Sequence, residues 1–241
     1  GPCNTGFATG AKSSVDKTYI PKANANGIEL RVNTIAHTLI SAGDEIEGVM
    51  VRHKGQEEAL RAKITVLACN AIGTTRILGK FYQSCSSQIR AQMSDQIGHN
   101  LMMHPLGYVE GMLPADTDLD IGPQGCVIFS HQFYETQSDA DFKRGYTMHI
   151  LRGNNGVDGV SRGVNAGDIS FGPSFISDVK NMQRRLANLT IICEDLPKRQ
   201  NEVFLKNKID TDGLPCVGVR YALDDNTKRM LNHGLKSGRK L

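Results

Sequence analysis

The chain is 241 residues long, 39% hydrophobic, 22% charged and 6% aromatic, with a formal charge of +3. That length supports one large domain or two small ones, and the composition excludes disordered, collagen-like and coiled-coil chains. The longest apolar run, residues 64–69, falls far short of the roughly 20 residues a membrane-crossing helix needs, so no transmembrane span is expected in this chain.

Residues 1–14, GPCNTGFATGAKSS, are rich in small side chains without hydrophobic periodicity and read as loop. Residues 17–23, which include Pro21, lead into the Asn-rich turn ANANG. Strands are expected over 28–32 and 35–40, then from Ile46 to the region of His53, and again from Ala59. Tight turns at Gly43-Asp44 and Lys54-Gly55 would join them into a small antiparallel meander. Val66 to Cys69 reads as an apolar strand of the kind buried on both faces of a parallel sheet. It runs straight into a helix that Thr74 or Thr75 would cap, with Ile77 and Leu78 facing inward. A strand ending in small residues before a helix lets a cofactor phosphate or ring approach the backbone, and the same pattern also describes an ordinary packing corner.

From Leu106 the texture changes. Segments 106–113, 125–130, 146–153, 189–197, 201–207 and 216–223 read as strands, and only 179–186 and 225–235 have helical spacing. In the last helix Met230, Leu231 and Leu235 share one side and Asp224 or Asp225 is placed to cap. This predicts a second, mostly antiparallel sheet. Residues 153–173 hold six glycines and read as a lid or binding loop.

The seven histidines, at 37, 53, 99, 104, 131, 149 and 233, show no metal-binding spacing, and no metal site is expected. His104, before Pro105 at the change of texture, is a candidate acid or base, with a structural histidine as the other reading. Residues 6–13 imitate a phosphate-binding loop without its spacing or a preceding strand. Glu194 and Asp195, adjacent on a strand, point to opposite faces and cannot flank one bond, so they read as turn and cap chemistry. The six cysteines form no CxxC; Cys69 and Cys193 read as free buried thiols, which favours a reducing, cytoplasmic setting. The Asn188-Leu-Thr glycosylation motif falls in an expected strand and reads as chance. Residues 226–241 carry five bases and no acid, but aromatics are not interleaved with them, so a solvated helix face is expected and no nucleic-acid partner.

Three blocks taken together, GFATGAKSSVDKTYIPKA at 6–23, VLACNAIGTTRIL at 66–78 and IGHNLMMHP at 97–105, resemble the glucose–methanol–choline (GMC) oxidoreductases. These are FAD-dependent oxidases and dehydrogenases of alcohols, sugars, sugar acids and sterols. Later blocks, FYET at 133–136, RGY at 144–146, EDLP at 194–197, NEV at 201–203 and DGLP at 212–215, look like that family's bacterial dehydrogenase branch. The resemblance runs from about residue 6 to the end.

The resemblance implies an α/β (α+β) fold. Residues 1–105 would be part of an FAD/NAD(P)-binding-like domain with its small antiparallel meander, and residues 106–241 part of a substrate-binding domain built on a mostly antiparallel sheet. It implies FAD as cofactor, with the backbone amide and carbonyl of Ala36 on the adenine and the corner Ala68, Cys69, Asn70 and Ala71 against the adenosine diphosphate half. The implied reaction is oxidation of the CH–OH group of an alcohol, sugar or sugar acid by hydride transfer to flavin. A small-molecule alcohol or sugar and an electron-acceptor protein are the implied partners. The sequence also departs from the family pattern. It holds no GxGxxG, and the family's catalytic histidine belongs to a segment beyond residue 241. The expectation is therefore an internal fragment of a longer enzyme, inactive alone, with no catalytic residue among these residues. His99 and Glu202 each stand where an arginine is common, and Thr75 where a proline is. The alternative is a non-catalytic binding or structural module derived from such an enzyme; the flanking coding sequence discriminates the two.

Overall fold

The computed structural model describes residues 10, 12–93, 95–117, 125–135, 138–152 and 156–241. Most of the opening loop, and with it residues 6–9 and 11 of the first resembling block, lies outside them, as does Thr136. In chain order the elements are α1 (Val15–Ala25), β1 (Thr34–Ala42), β2 (Glu45–His53), β3 (Gln56–Arg61), α2 (Asn70–Ser84), α3 (Ser87–Gln92), β4 (Leu106–Met112), β5 (Gly125–Ser130), β6 (Tyr146–Arg152), α4 (Gly156–Ala166), α5 (Phe175–Arg185), β7 (Leu186–Cys193), β8 (Glu202–Ile209), β9 (Pro215–Arg220) and α6 (Asp225–Gly238). The mixed helix and antiparallel-sheet class expected from the sequence holds. The compact units interleave along the chain: Gly27–Met102 packs with Leu196–Ala222, and Gly1–Asn26 and Met103–Asp195 group with Leu223–Leu241.

In the unit containing residues 27–102, β1, β2 and β3 form the expected meander, with Ala42 opposite Glu45 and Val49 opposite Leu60. The turn at Lys54 and Gly55 has both φ values positive, 49° and 83°, the two-residue geometry that matches strand twist. Helix α2 covers the meander with Phe81, which clusters with Cys85 and Ile89 against Leu39, Ile46 and Met93. The β8–β9 hairpin packs on α2 as well: Arg76 Nε donates to the Pro215 carbonyl at 2.8 Å and its guanidinium pairs with Asp210.

The structure corrects two strands in this unit. Residues 28–32 are irregular, set between Gly27 (φ 81°) and Asn33 (φ 54°), with Ile28, Leu30 and Val32 exposed. Residues 64–69 are likewise not a strand; Ile64 is 81% and Val66 79% exposed. Residues 28–32 are apolar at alternate positions and 64–69 form an apolar run, yet among the described residues neither pairs with another strand. A strand is defined by its partner's hydrogen bonds, which no local pattern supplies.

In the other unit, β4, β7, β6 and β5 stand in that order in one antiparallel sheet. Helix α6 lies on one face. Its N-cap is Asp224, whose carboxylate accepts the Thr227 amide at 2.6 Å, as the sequence suggested. Met230 packs with Tyr146, Met148, Ile191, Cys193 and Phe142 in the core. A Cβ at Gly234 would fall 2.6 Å from the Ile191 side chain, so glycine sets how closely α6 approaches β7. Asn188 of the glycosylation motif is 4% exposed and donates to Glu110 at 2.6 Å. Asp195 does tie-bar work: its two oxygens take the Met103 amide at 3.1 Å and the Thr227 hydroxyl at 3.3 Å. Within the loop expected over 153–173, α4 occupies residues 156–166, and residues 153–155 lie outside the described residues. Val157, Val160 and Val164 have helical spacing that the glycines masked, and Gly163 lets Ile169 and Met182 come close. The helix expected over 179–186 begins earlier, at Phe175, and ends at Arg185. Helix α1 includes Pro21 and buries no residue.

Candidate functional site

The corner that opens α2 starts earlier than the sequence suggested. Asn70 has a left-handed φ of 56°, which its short carboxamide tolerates. Its Oδ1 accepts the amides of Ile72 at 2.9 Å and Gly73 at 3.1 Å. Asn70, rather than Thr74 or Thr75, therefore satisfies the first turn, and the two threonines lie inside the helix. Two amides that a phosphate would otherwise take at a helix N-terminus are occupied. The corner thus suits a neutral, flat group better than an anion.

Ala68, Asn70 and Ala71 are exposed and Cys69 is half-buried, so small side chains face outward here. Ala71, Thr74 and Leu78 form one wall of a groove of about 420 Å³; residues 97–102 and Val203 form the other. That second wall is fixed by backbone bonds. The Val203 amide donates to the Gly98 carbonyl and the Leu101 amide to the Asn201 carbonyl, both at 2.8 Å. Gly98 has φ 81°, and a Cβ there would sit 2.2 Å from the Val203 carbonyl oxygen. Only glycine fits that approach.

Ala36 lies on β1, an edge strand of its sheet, so among the described residues one side of β1 carries no pairing strand. The next residue, His37, reaches Lys80 on α2. Ala36 and the 68–71 corner therefore belong to one unit and are linked by α2. From Ala71 to Lys80 the helix rises about 14 Å. His104 is exposed and lies in the other unit. Its neighbours make structural bonds: the Met103 amide donates to Asp195, and the Pro105 carbonyl accepts the Cys193 amide at 2.9 Å. Among the described residues, no three His, Cys, Asp or Glu side chains could hold a metal ion. None of their helices is long and apolar enough to cross a membrane.

Two carboxylates in the unit of residues 27–102 and 196–222 are held below their usual range. The Asp210 carboxyl is held below its usual range by the Leu214 amide and then by Arg76. The Glu57 carboxyl is likewise lowered, chiefly by Arg52. The sequence reading missed the 97–102 wall and the His37 contacts. The pair Gly98 and Asn100, two residue types that tolerate a left-handed backbone within three positions, was the available signal for the first; both have positive φ.

Residues 1–106 match the family model described as GMC oxidoreductase. Over 238 residues the chain is 26% identical to the 2-methyl-1,2-propanediol dehydrogenase of Mycolicibacterium austroafricanum, covering 96% of this chain and 43% of that protein. Over 232 residues it is 25% identical to the 6'''-hydroxyparomomycin C oxidase of Streptomyces lividus, covering 90% of this chain and 37% of that protein. The chain thus spans less than half the length of these relatives. The resemblance read from the sequence is borne out.

Proposed function

We propose, from the premise that residues 1–106 are a GMC oxidoreductase segment, that the chain contributes adenosine-side FAD contacts and part of the substrate wall of an alcohol or sugar oxidoreductase. The observation that carries this is the corner of small exposed residues at Ala68–Ala71 beside the groove at Gly98. A bulky corner would keep an aromatic ring off the backbone, and this one does not. The unpaired side of β1 at Ala36 fits the same group, because an adenine edge reads one donor and one acceptor. Bound there, FAD would supply the hydride acceptor for a CH–OH donor. The chain's own part is to hold the adenosine. The names of the two relatives, one for a diol and one for a hydroxyl-bearing paromomycin, support a CH–OH donor. The unit of residues 27–102 and 196–222 is the cofactor side in this reading, and the sheet of β4 to β7 the substrate side.

Calorimetric titration of the chain with ADP and, separately, with FMN tests the assignment. The reading expects ADP to bind and FMN not to. A preference for FMN, or binding of neither, overturns it.

A further inference from the structure

His37 is the extra residue of a β-bulge. Ala36 pairs with Val51 and Thr38 with Met50, so no residue of β2 stands opposite His37. Its ring is 9% exposed and both nitrogens are engaged. Nδ1 lies 3.1 Å from Lys80 Nζ on α2, and Nε2 meets a carboxylate oxygen of Glu57 on β3. An ammonium only donates and a carboxylate only accepts. Nδ1 therefore accepts from Lys80, and Nε2 carries the proton given to Glu57: a neutral imidazole bridging a cation and an anion. Glu57 is gripped in turn by Arg52 of β2, Nη2 at 2.7 Å and Nε at 3.0 Å, and Arg52 also donates to the Asp212 carbonyl. One chain of hydrogen bonds joins α2, all three meander strands and the turn before β9.

We propose that His37 is a positioning residue for the adenosine half of the cofactor. The bulge it occupies turns the backbone beside Ala36, so whatever fixes the His37 ring also fixes the direction of the Ala36 peptide groups. A bulge needed only for packing would accept an apolar side chain. A ring bonded at both nitrogens fixes rotation as well as position, and the buried ring itself would lose both partners if it turned away. The inference rests on the adenosine reading given above.

The test is amide NMR of the full chain titrated with ADP, comparing wild type with His37→Leu, His37→Gln and Lys80→Met. Glutamine offers a carbonyl to Lys80 and an amide hydrogen to Glu57, so it replaces both bonds. Wild type should show a saturating shift at the Ala36 amide. His37→Leu should bind ADP about tenfold more weakly, the scale of one or two lost hydrogen bonds, and His37→Gln should recover most of that. Lys80→Met, which leaves β1 untouched, should weaken ADP several-fold and covers the case of an unfolded leucine variant. Lowered melting temperature with unchanged ADP affinity in His37→Leu or Lys80→Met overturns the positioning role alone. ADP shifts that bypass Ala36 in wild type overturn the adenosine reading and this inference together.

Discussion

His99 Nδ1 lies 3.1 Å from Glu202 Oε2 and 2.9 Å from the Arg199 carbonyl. Both partners accept, so this nitrogen carries the proton. Glu202 also pairs with Arg220, and its side chain is 15% exposed. The resemblance to the GMC oxidoreductases leads one to expect arginine at both positions. Two arginines here would face one another and Arg220. The imidazole and the carboxylate are each explained by the other.

Replacing Glu202 by arginine should therefore destabilise the protein by about 2 kcal/mol, because a cation replaces the carboxylate that accepts from the His99 ring and pairs with Arg220 in a partly buried site. His99→Arg should change stability by less than about 0.5 kcal/mol, since a guanidinium can still donate to Glu202. Adding His99→Glu to Glu202→Arg should restore most of the loss. Urea unfolding of the four proteins reads this directly, and a Glu202→Arg protein as stable as wild type would refute it.

Acid should loosen the tie between α2 and the β8–β9 hairpin. One Asp210 oxygen accepts the amides of Asp212 and Leu214, both at 2.9 Å, and the other meets Arg76. These bonds favour the charged carboxylate, so the folded group titrates below its ordinary 3.8. The stability it adds is fully present above 3.8 and is lost as pH falls through the lower folded value. Asp210→Asn should lower stability at neutral pH and flatten its decline in that acid window. An unchanged acid slope in Asp210→Asn would place the sensitivity elsewhere, Glu57 being the next carboxylate held low.

What the sequence disclosed was local. The turns at Gly43-Asp44 and Lys54-Gly55, the Asp224 cap and the alternating strands of the larger sheet all follow from short-range chemistry. Residues 28–32 and 64–69 misled because strand pattern without a partner is only half of a strand. Residues 156–166 misled in the opposite direction, since glycine density outweighed a valine spacing of three and four. At the candidate site the corner 68–71 was legible as a run of small residues before a helix. The His37 contacts were not, because Glu57 and Lys80 are brought to the ring only by pairing of three strands and packing of a helix.

Thiol reactivity should follow burial. Cys193 on β7 is 1% exposed, and burial pushes its thiol up to about 12. The thiolate is the nucleophile, so Cys193 should resist iodoacetamide in the native protein at mildly alkaline pH. Cys69, half-buried at the corner, should react before Cys193, and ADP should slow it. Peptide mass mapping after timed alkylation reports the order. Early modification of Cys193 while the fold persists would contradict this packing.

The apolar side chains at Ile64 and Val66 should make the chain associate. Ile28, Leu30 and Val32 add a second exposed apolar row in the same unit. Exposed strand-like segments of this kind invite pairing with another chain. Ile64→Thr with Val66→Thr should shift the sedimentation distribution toward monomer at micromolar concentration without lowering the melting temperature. A wild-type protein that is already monomeric and melts cooperatively would remove the basis for the prediction.

Ala71 and Gly98 face the same groove but should respond to substitution in opposite ways. Ala71 is exposed on the first turn of α2, so a leucine there extends into the open groove and should leave the melting temperature within about 2 °C of wild type, as surface substitutions do. It does fill part of the groove, and ADP affinity should fall by about tenfold, a steric loss near 1.4 kcal/mol. Gly98→Ala should do the reverse. Its left-handed backbone costs a Cβ-bearing residue about 1–2 kcal/mol, and the Cβ would lie 2.2 Å from the Val203 carbonyl oxygen, which adds to that cost. Stability should fall first, and the bond from the Val203 amide to the Gly98 carbonyl should be lost with it. Thermal melts and ADP titrations on both variants separate the two effects. If Ala71→Leu binds ADP as wild type does while folded, the groove is not where the adenosine lies.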